Sequence, residues 1–262
     1  VSEVGGFSVT VAGGKRLYLI ETAEKGIHWM KLTAHGRAGH GSVMNDENAL
    51  TRLTEAVAKI GNYTWPQRYS KTVKAFFKRV ADETGKPYDE KDLQPLLEEV
   101  GFAARMIGAT LQNTANPTML EAGYKANVIP GSASAVVDGR FLPAFEGELT
   151  STIRELAGSD IEVELLVRDI ALEVDFEGPL VDAMISAIKK FDPEGIPVPY
   201  VMSGGTDNKA LSELGIVGYG FSPLRLPSDL DFFALFHGVD ERVPVDGLVF
   251  GVNVLKEFLE NA

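Results

Sequence analysis

IHWMKLTAHGRAGHGS, residues 27–42, couples an alternating strand to a glycine-rich turn. Its first nine residues alternate apolar with polar side chains, the period of a strand with one wet face. The turn that follows is built on Gly36, Gly39 and Gly41. Beyond it, Asn45 stands where a helix N-cap is wanted, and Ala49, Leu50, Leu53, Ala56, Val57 and Ile60 recur at the spacing of one buried helix face. Further on, 112–121 reads as a strand whose Pro117 suits an edge. Residues 126–141 read as a strand pair, Asn127-Val128-Ile129 and then 133–141, folded at Pro130-Gly131. A helix over 148–157 and a strand over 161–167 complete the order strand, helix, strand, strand, helix, strand. That order is a split βαβ, ferredoxin-like pattern, which makes 28–170 an α+β unit. A helical insertion at about 62–108 interrupts it, with helices over 71–81 and 91–106 joined by Gly85-Lys86-Pro87.

The flanks have a different texture. Residues 1–27 open like a strand, turn at Gly13-Gly14, and continue into a strand over 16–22 rich in β-forming side chains. After Gly178, Pro179 starts a helix over 180–191, followed by a strand (198–202), a short helix (207–214), a strand (216–221) and a closing helix (245–259). Alternating short strands and helices specify an α/β layer. Residues 1–27 and 171–262 are therefore expected to share one sheet, with the α+β unit inserted between them. The chain begins with Val1 directly on a strand-like run, so it is expected to be an internal segment of a longer protein.

Composition narrows the function. With 262 residues, 45% of them hydrophobic, the chain can bury a large core. Lys and Arg total 25 against 37 Asp and Glu, a net charge of -12, which argues against a nucleic-acid partner. There is no cysteine, so no disulfide framework or thiolate metal site exists; no basic-then-apolar signal segment opens the chain, and the expected address is cytoplasmic. No apolar run reaches the ~20 residues of a membrane span.

Six side chains stand out. His237 follows the apolar run 232–236, which reads as a short buried strand, and enters a turn at Gly238 with Asp240 and Glu241 behind it. An imidazole so placed suits a metal ligand, and equally a loop histidine satisfied by a carbonyl. Glu3 beside Gly5-Gly6 is either a metal-binding carboxylate or a solvated turn residue. His40, flanked by glycines, suits a donor to a developing oxyanion, the alternative being a solvated loop histidine. Asn127 and Arg140, on the two arms of the strand pair, could hold a carboxylate together; the plainer alternative pairs Arg140 with Asp138. Thr206 lies in SGGTD (203–207), where amides and a hydroxyl meet at a strand-to-helix junction.

SEVGG (2–6), GRAGHGS (36–42), NVIPG (127–131), DGRFLP (138–143), SGGTD and FHGVDERVP (236–244), in this order, resemble the C-terminal portion of the M20 family of zinc metallopeptidases. That family includes aminoacylases, acetylornithine and succinyl-diaminopimelate deacylases, carnosinase-like dipeptidases and glutamate carboxypeptidases. The resemblance implies that 1–27 and 171–262 are part of a discontinuous α/β catalytic domain, with 28–170 as lid and dimerisation domain. It implies Glu3 and His237 as ligands of two zinc ions, cobalt or manganese being alternatives, and His40 as the group that stabilises the oxyanion in the partner subunit of a homodimer. Asn127 and Arg140 would take the carboxylate of a small peptide or N-acyl amino acid, with Thr206 lining the pocket beneath. The family's first zinc-binding His, its bridging Asp and its Glu-Glu pair have no counterpart in these residues. The chain alone is therefore expected to be inactive unless a separate N-terminal fragment complements it. The alternative from another class is a non-catalytic dimerisation or binding module of the same fold.

Overall fold

The computed structural model describes all 262 residues. In chain order the strands and helices are β1 (Ser8–Thr10), β2 (Arg16–Glu24), β3 (Gly26–His35), β4 (Gly39–His40), α1 (Ala49–Gly61), α2 (Lys71–Thr84), α3 (Gln94–Leu97), α4 (Ala104–Gly108), β5 (Thr114–Ala122), β6 (Val128–Ile129), β7 (Ser132–Phe141), α5 (Glu146–Ala157), β8 (Ile161–Asp169), β9 (Leu172–Glu173), α6 (Pro179–Phe191), β10 (Ile196–Met202), α7 (Asn208–Glu213) and α8 (Val245–Asn261). They form two units. The first comprises Val1–Lys25, Tyr69–Leu111 and Leu172–Ala262; the second comprises Gly26–Arg68 and Gln112–Ala171.

In the second unit the alternation of β3 becomes a two-sided strand, with Met30, Leu32 and Ala34 buried and Trp29 and His35 exposed. The sheet runs β5-β7-β3-β8, every pair antiparallel. Given the chain order β3, α1, β5, β7, α5, β8, this is the expected split βαβ arrangement. Helices α1 and α5 bury Leu53, Ala56, Ile60, Leu149 and Ile153 in a core shared with Leu32 and Val137. Pro117 lies on edge strand β5, where the register slips between Pro117 and Met119, as a residue lacking an N–H requires.

Two details differ from expectation. The cap of α1 is Asn48, whose side chain accepts from the Leu50 amide at 3.0 Å. Asn45 instead ties the preceding turn, donating to the Arg37 carbonyl and accepting from the Glu47 amide. Asn48→Ala should cost about 1 kcal/mol of stability, read as a lower urea midpoint, because it orphans a helix N–H. The second difference is that residues 126–141 are no hairpin. β6 pairs with β4, placing His40 opposite Val128, while β7 pairs with β3 and β5. Pro130 has no N–H to extend a ladder, and the Gly131 carbonyl takes the Gly36 amide instead.

In the first unit β2 is the centre, flanked by antiparallel β1 and parallel β10, with β9 meeting its end. Leu17, Tyr18, Leu19 and Ile20 are all buried, the signature of a strand covered on both faces. Tyr18 and Ile20 join a core with Val181, Met184, Ile188, Phe250 and Val254 of α6 and α8. Residues 69–111 belong here rather than in the inserted unit to which the sequence reading assigned them. The reason is α2: its buried face, Val73, Phe76, Phe77 and Val80, lies on β10. The helix expected over 91–106 is broken, since Gly101 adopts φ 55°, ψ −130° between α3 and α4.

No strand forms over 216–221. Gly220 exchanges hydrogen bonds with Glu21, while its neighbours Tyr219 and Phe221 bond Ser2, so the segment makes single bridges on two sides instead of a ladder. Nor is 232–236 a buried strand. Phe233–Leu235 is a 3-10 turn whose first turn is held by Asp231 accepting from the Ala234 amide, and Phe236 is exposed. Beneath α6, Arg16 donates twice to Asp192 at 2.8 Å and the Tyr18 hydroxyl donates to the same carboxylate at 2.8 Å.

Candidate functional site

The second unit brings together two of the six residues. His40 projects from β4 into solvent, and three contacts orient its ring. Its Nδ1 accepts from the Ser42 amide at 3.2 Å and lies 2.8 Å from the Ser42 hydroxyl; its Nε2 lies 3.4 Å from the Asn127 side-chain amide. A backbone N–H can only donate, so Nδ1 accepts from Ser42, which would leave the proton of a neutral ring on Nε2; the Asn127 Nδ2, itself a donor, must then give way to the amide oxygen on that side. In that tautomer the turn presents an N–H donor, held from behind by a backbone amide. The register explains why Asn127 reaches it, for β6 starts beside His40.

Arg140 is elsewhere. It sits near the far end of β7, roughly 26 Å from Ser132 at the strand rise of ~3.3 Å per residue. Its guanidinium is already forked onto Asp138, at 2.6 and 2.9 Å. The expected clamp of Asn127 with Arg140 is thus not formed in this unit, because the two residues are not on one hairpin. The ordinary pairing with Asp138 is what the sheet contains.

In the first unit Glu3 is exposed, next to Ser2. His237 is also exposed and adopts φ 55°, a left-handed conformation unusual for a side chain other than glycine. Such strain tends to be retained where function needs it. Glutamate oxygen and imidazole nitrogen are both suitable zinc donors, but zinc wants four ligands. No group of three or more His, Asp or Glu side chains in the chain could hold a metal ion. The residues present therefore do not make a metal site by themselves.

Thr206 is half-buried and bonded to a buried acid. Its amide and hydroxyl both donate to Glu24, at 2.8 and 2.5 Å. Glu24 and Glu21 are two buried carboxyl groups on β2. Burial, with the neighbouring Glu24, pushes the Glu21 carboxyl up to about 9, so it is protonated at neutral pH. Ser2 lies within reach of Glu21, and the Asn208 amide donates to Ser2 at 2.9 Å, leaving the buried Asn208 Oδ1 without a partner. Sequence reading passed over Glu21, Glu24 and Asn208. Their signal was two acids in a strand buried along nearly its whole length, a place that tolerates carboxyl groups only with polar partners.

A cleft of about 680 Å³ lies in the first unit at the C-terminal end of β10. In open α/β sheets that is where ligands bind. Tyr200, Met202, Ser203 and Gly204 form one side; His237 and Phe236 form another.

The mixed α/β fold is shared with solved M20 structures. The M20 metallo-carboxypeptidase Sso-CP2 of Sulfolobus solfataricus superposes with a TM-score of 0.64 at 17% identity, over 99% of this chain and 62% of that one. The family model for the peptidase dimerisation domain, M20_dimer, matches residues 22–161, more than half of the chain. The chain belongs to the M20 peptidase family. It is 26% identical to the N-fatty-acyl-amino acid synthase/hydrolase PM20D1 of Mus musculus over 95% of its own length and 51% of that protein. Against aminoacylase-1 of Pongo abelii it is again 26% identical, over 95% of this chain and 54% of the relative. The chain spans about half the length of the curated relatives it matches. No helix is long and apolar enough to cross a membrane.

Proposed function

We propose that this chain is part of a dinuclear zinc amidohydrolase that cleaves a small peptide or N-acyl amino acid bearing a free carboxylate. The observation that carries the reading is the His40 ring, exposed and anchored at Nδ1 by the Ser42 amide. An Nε2–H donor preset by the Ser42 amide is what a developing oxyanion needs. In this reading Asn127 steadies the ring, and Arg140, exchanging Asp138 for substrate, takes the carboxylate. Thr206 braces the floor of the site through Glu24. Glu3 and His237 each give one donor to a zinc centre whose other ligands lie outside these residues. Zinc, once bound, would supply an acidified water and a Lewis acid.

The second unit is proposed as the lid and as the homodimer contact. In support, β8 is an edge strand whose Leu165, Leu166 and Val167 are exposed, and apolar edges of this kind are usually covered. A cysteine-free chain fits a cytoplasmic address.

A second reading, a dimerisation module without chemistry, draws on the missing third metal ligand. Hydrolysis assays on N-acyl amino acids and dipeptides separate the two. Product is expected only when zinc and a polypeptide carrying the remaining ligands are both added. Steady turnover by the chain alone would refute the assignment of missing ligands, and none under any combination would favour the non-catalytic module.

A further inference from the structure

Each unit leaves one apolar surface without cover. In the second unit it is the tip of the turn that carries His40, where Val43 is exposed and Met44 is 92% exposed. That turn is nevertheless fixed. The Val43 amide donates to the His40 carbonyl at 3.1 Å, the Gly41 amide to the Asn127 carbonyl at 2.9 Å, and Asn45 ties the tip back to the Arg37 carbonyl at 2.7 Å. A methionine held out on a bonded turn has given up part of its freedom in advance, which lowers the cost of docking it. In the first unit the open surface is the aromatic wall of the β10 cleft. Phe102 and Phe236 are exposed there, and the rings of Phe233 and Phe236 meet edge to face at 5.8 Å. Charges match as well. Asp46, two residues beyond Met44, is exposed and without an ion pair, as is Arg105 on the cleft rim. Exposed apolar patches with a polar rim mark surfaces that meet a partner.

We infer that the turn of a second copy of this chain docks on that wall, with Met44 seated between Phe102 and Phe236 and Asp46 paired to Arg105, so that two chains complete one cleft. The occupant is a second copy for two reasons. The turn lies within residues 22–161, the match to the peptidase dimerisation domain, and nothing in its own chain covers Met44. The inference rests on the reading of the second unit as the homodimer contact. An unbranched thioether fits an aromatic slot without demanding a fixed shape, and sulfur is attracted to ring edges. The exposed ion pair adds little affinity and sets the orientation. His237 lines the same cleft, so docking also carries His40, on the same turn, toward the proposed metal ligand.

Because the chain has no cysteine, thiol cross-linking tests the docking without any turnover. A Met44→Cys chain mixed with a Phe236→Cys chain and treated with a short bis-maleimide should give a covalent dimer on a denaturing gel. The yield should exceed at least tenfold that of Met44→Cys mixed with Leu259→Cys, a thiol placed at an exposed position of α8, and that of each variant treated alone. Asp46→Lys added to the Met44→Cys chain should lower the yield severalfold, and Arg105→Asp added to the Phe236→Cys chain should restore it. All five side chains are exposed, so the fold should survive, and a far-UV spectrum checks it. Sedimentation of the unmodified chain runs alongside. A dimer whose Met44 and Phe236 variants cross-link no more than the Leu259 control overturns the docking and leaves the homodimer reading intact; a monomer without cross-linking overturns both. Specific cross-linking in a protein that no complementing polypeptide makes hydrolytic upholds the docking and sinks the hydrolase reading alone.

Discussion

Alanine at His40 is expected to lower kcat of the complemented enzyme by about 10²–10³-fold while changing KM little. That is the usual loss when one preset oxyanion donor is removed. The selectivity for kcat follows from the geometry. His40 is exposed, bonded only to Ser42 and Asn127, so nothing in the fold depends on its ring. An interaction made only in the transition state lowers kcat and kcat/KM together. His40→Gln, which keeps an N–H donor near the same place, should recover part of the rate. If His40→Ala retained full kcat, the donor role would be wrong, whatever the metal chemistry. Asn127→Ala should show a smaller fall in the same direction, because the ring keeps its Ser42 anchor.

The largest stability effect should come from Asp192→Ala. Asp192 is 4% exposed, and its two oxygens satisfy both Arg16 and Tyr18. Removing it leaves a guanidinium and a buried phenol facing each other without an acceptor. Breaking one side of such a buried network costs about 3 kcal/mol or more, read as a lower urea midpoint. The pH dependence has a definite sign. Hydrogen bonding from Arg16, then from Tyr18, holds the Asp192 carboxyl below its ordinary value of 3.8. A lowered carboxyl stabilises the fold fully above that ordinary value, and the contribution disappears as pH falls through the folded-state value. Wild-type stability should therefore drop in the acid range below pH 4 more steeply than that of Asp192→Ala. Equal slopes would mean the network does not hold in solution.

Strands and helices with strong periodicity were legible: β3, α1, α5, α6 and α8 lie where alternation or helical spacing puts them. What sequence could not show was partnership. The short arm Val128–Ile129 carries no sign that it will pair with Gly39–His40 rather than with β7, since register depends on a distant turn and a proline. For the same reason Asn127 and Arg140 looked like one clamp and are not. The segment 69–111 was misassigned because an amphipathic helix announces that it has a buried face and not which sheet that face meets. Of the site residues, His40 and its neighbour Asn127 were readable from a glycine-rich turn and a short motif. The paired acids Glu21 and Glu24 were hidden, because their meaning lies in Thr206, some 180 residues away.

The parallel pairing of β2 with β10 sets a schedule for synthesis on the ribosome. Leu17 lies beside Ile196 in that ladder, so the central strand of the first unit leaves the exit tunnel about 180 residues before its neighbour exists. At ~5–20 residues per second the wait is roughly 10–40 s. The second unit, whose strands lie between them in the chain, can close during that interval. Throughout it, Tyr18 and Ile20 lack the cover that Val181, Met184, Ile188, Phe250 and Val254 of α6 and α8 later give them.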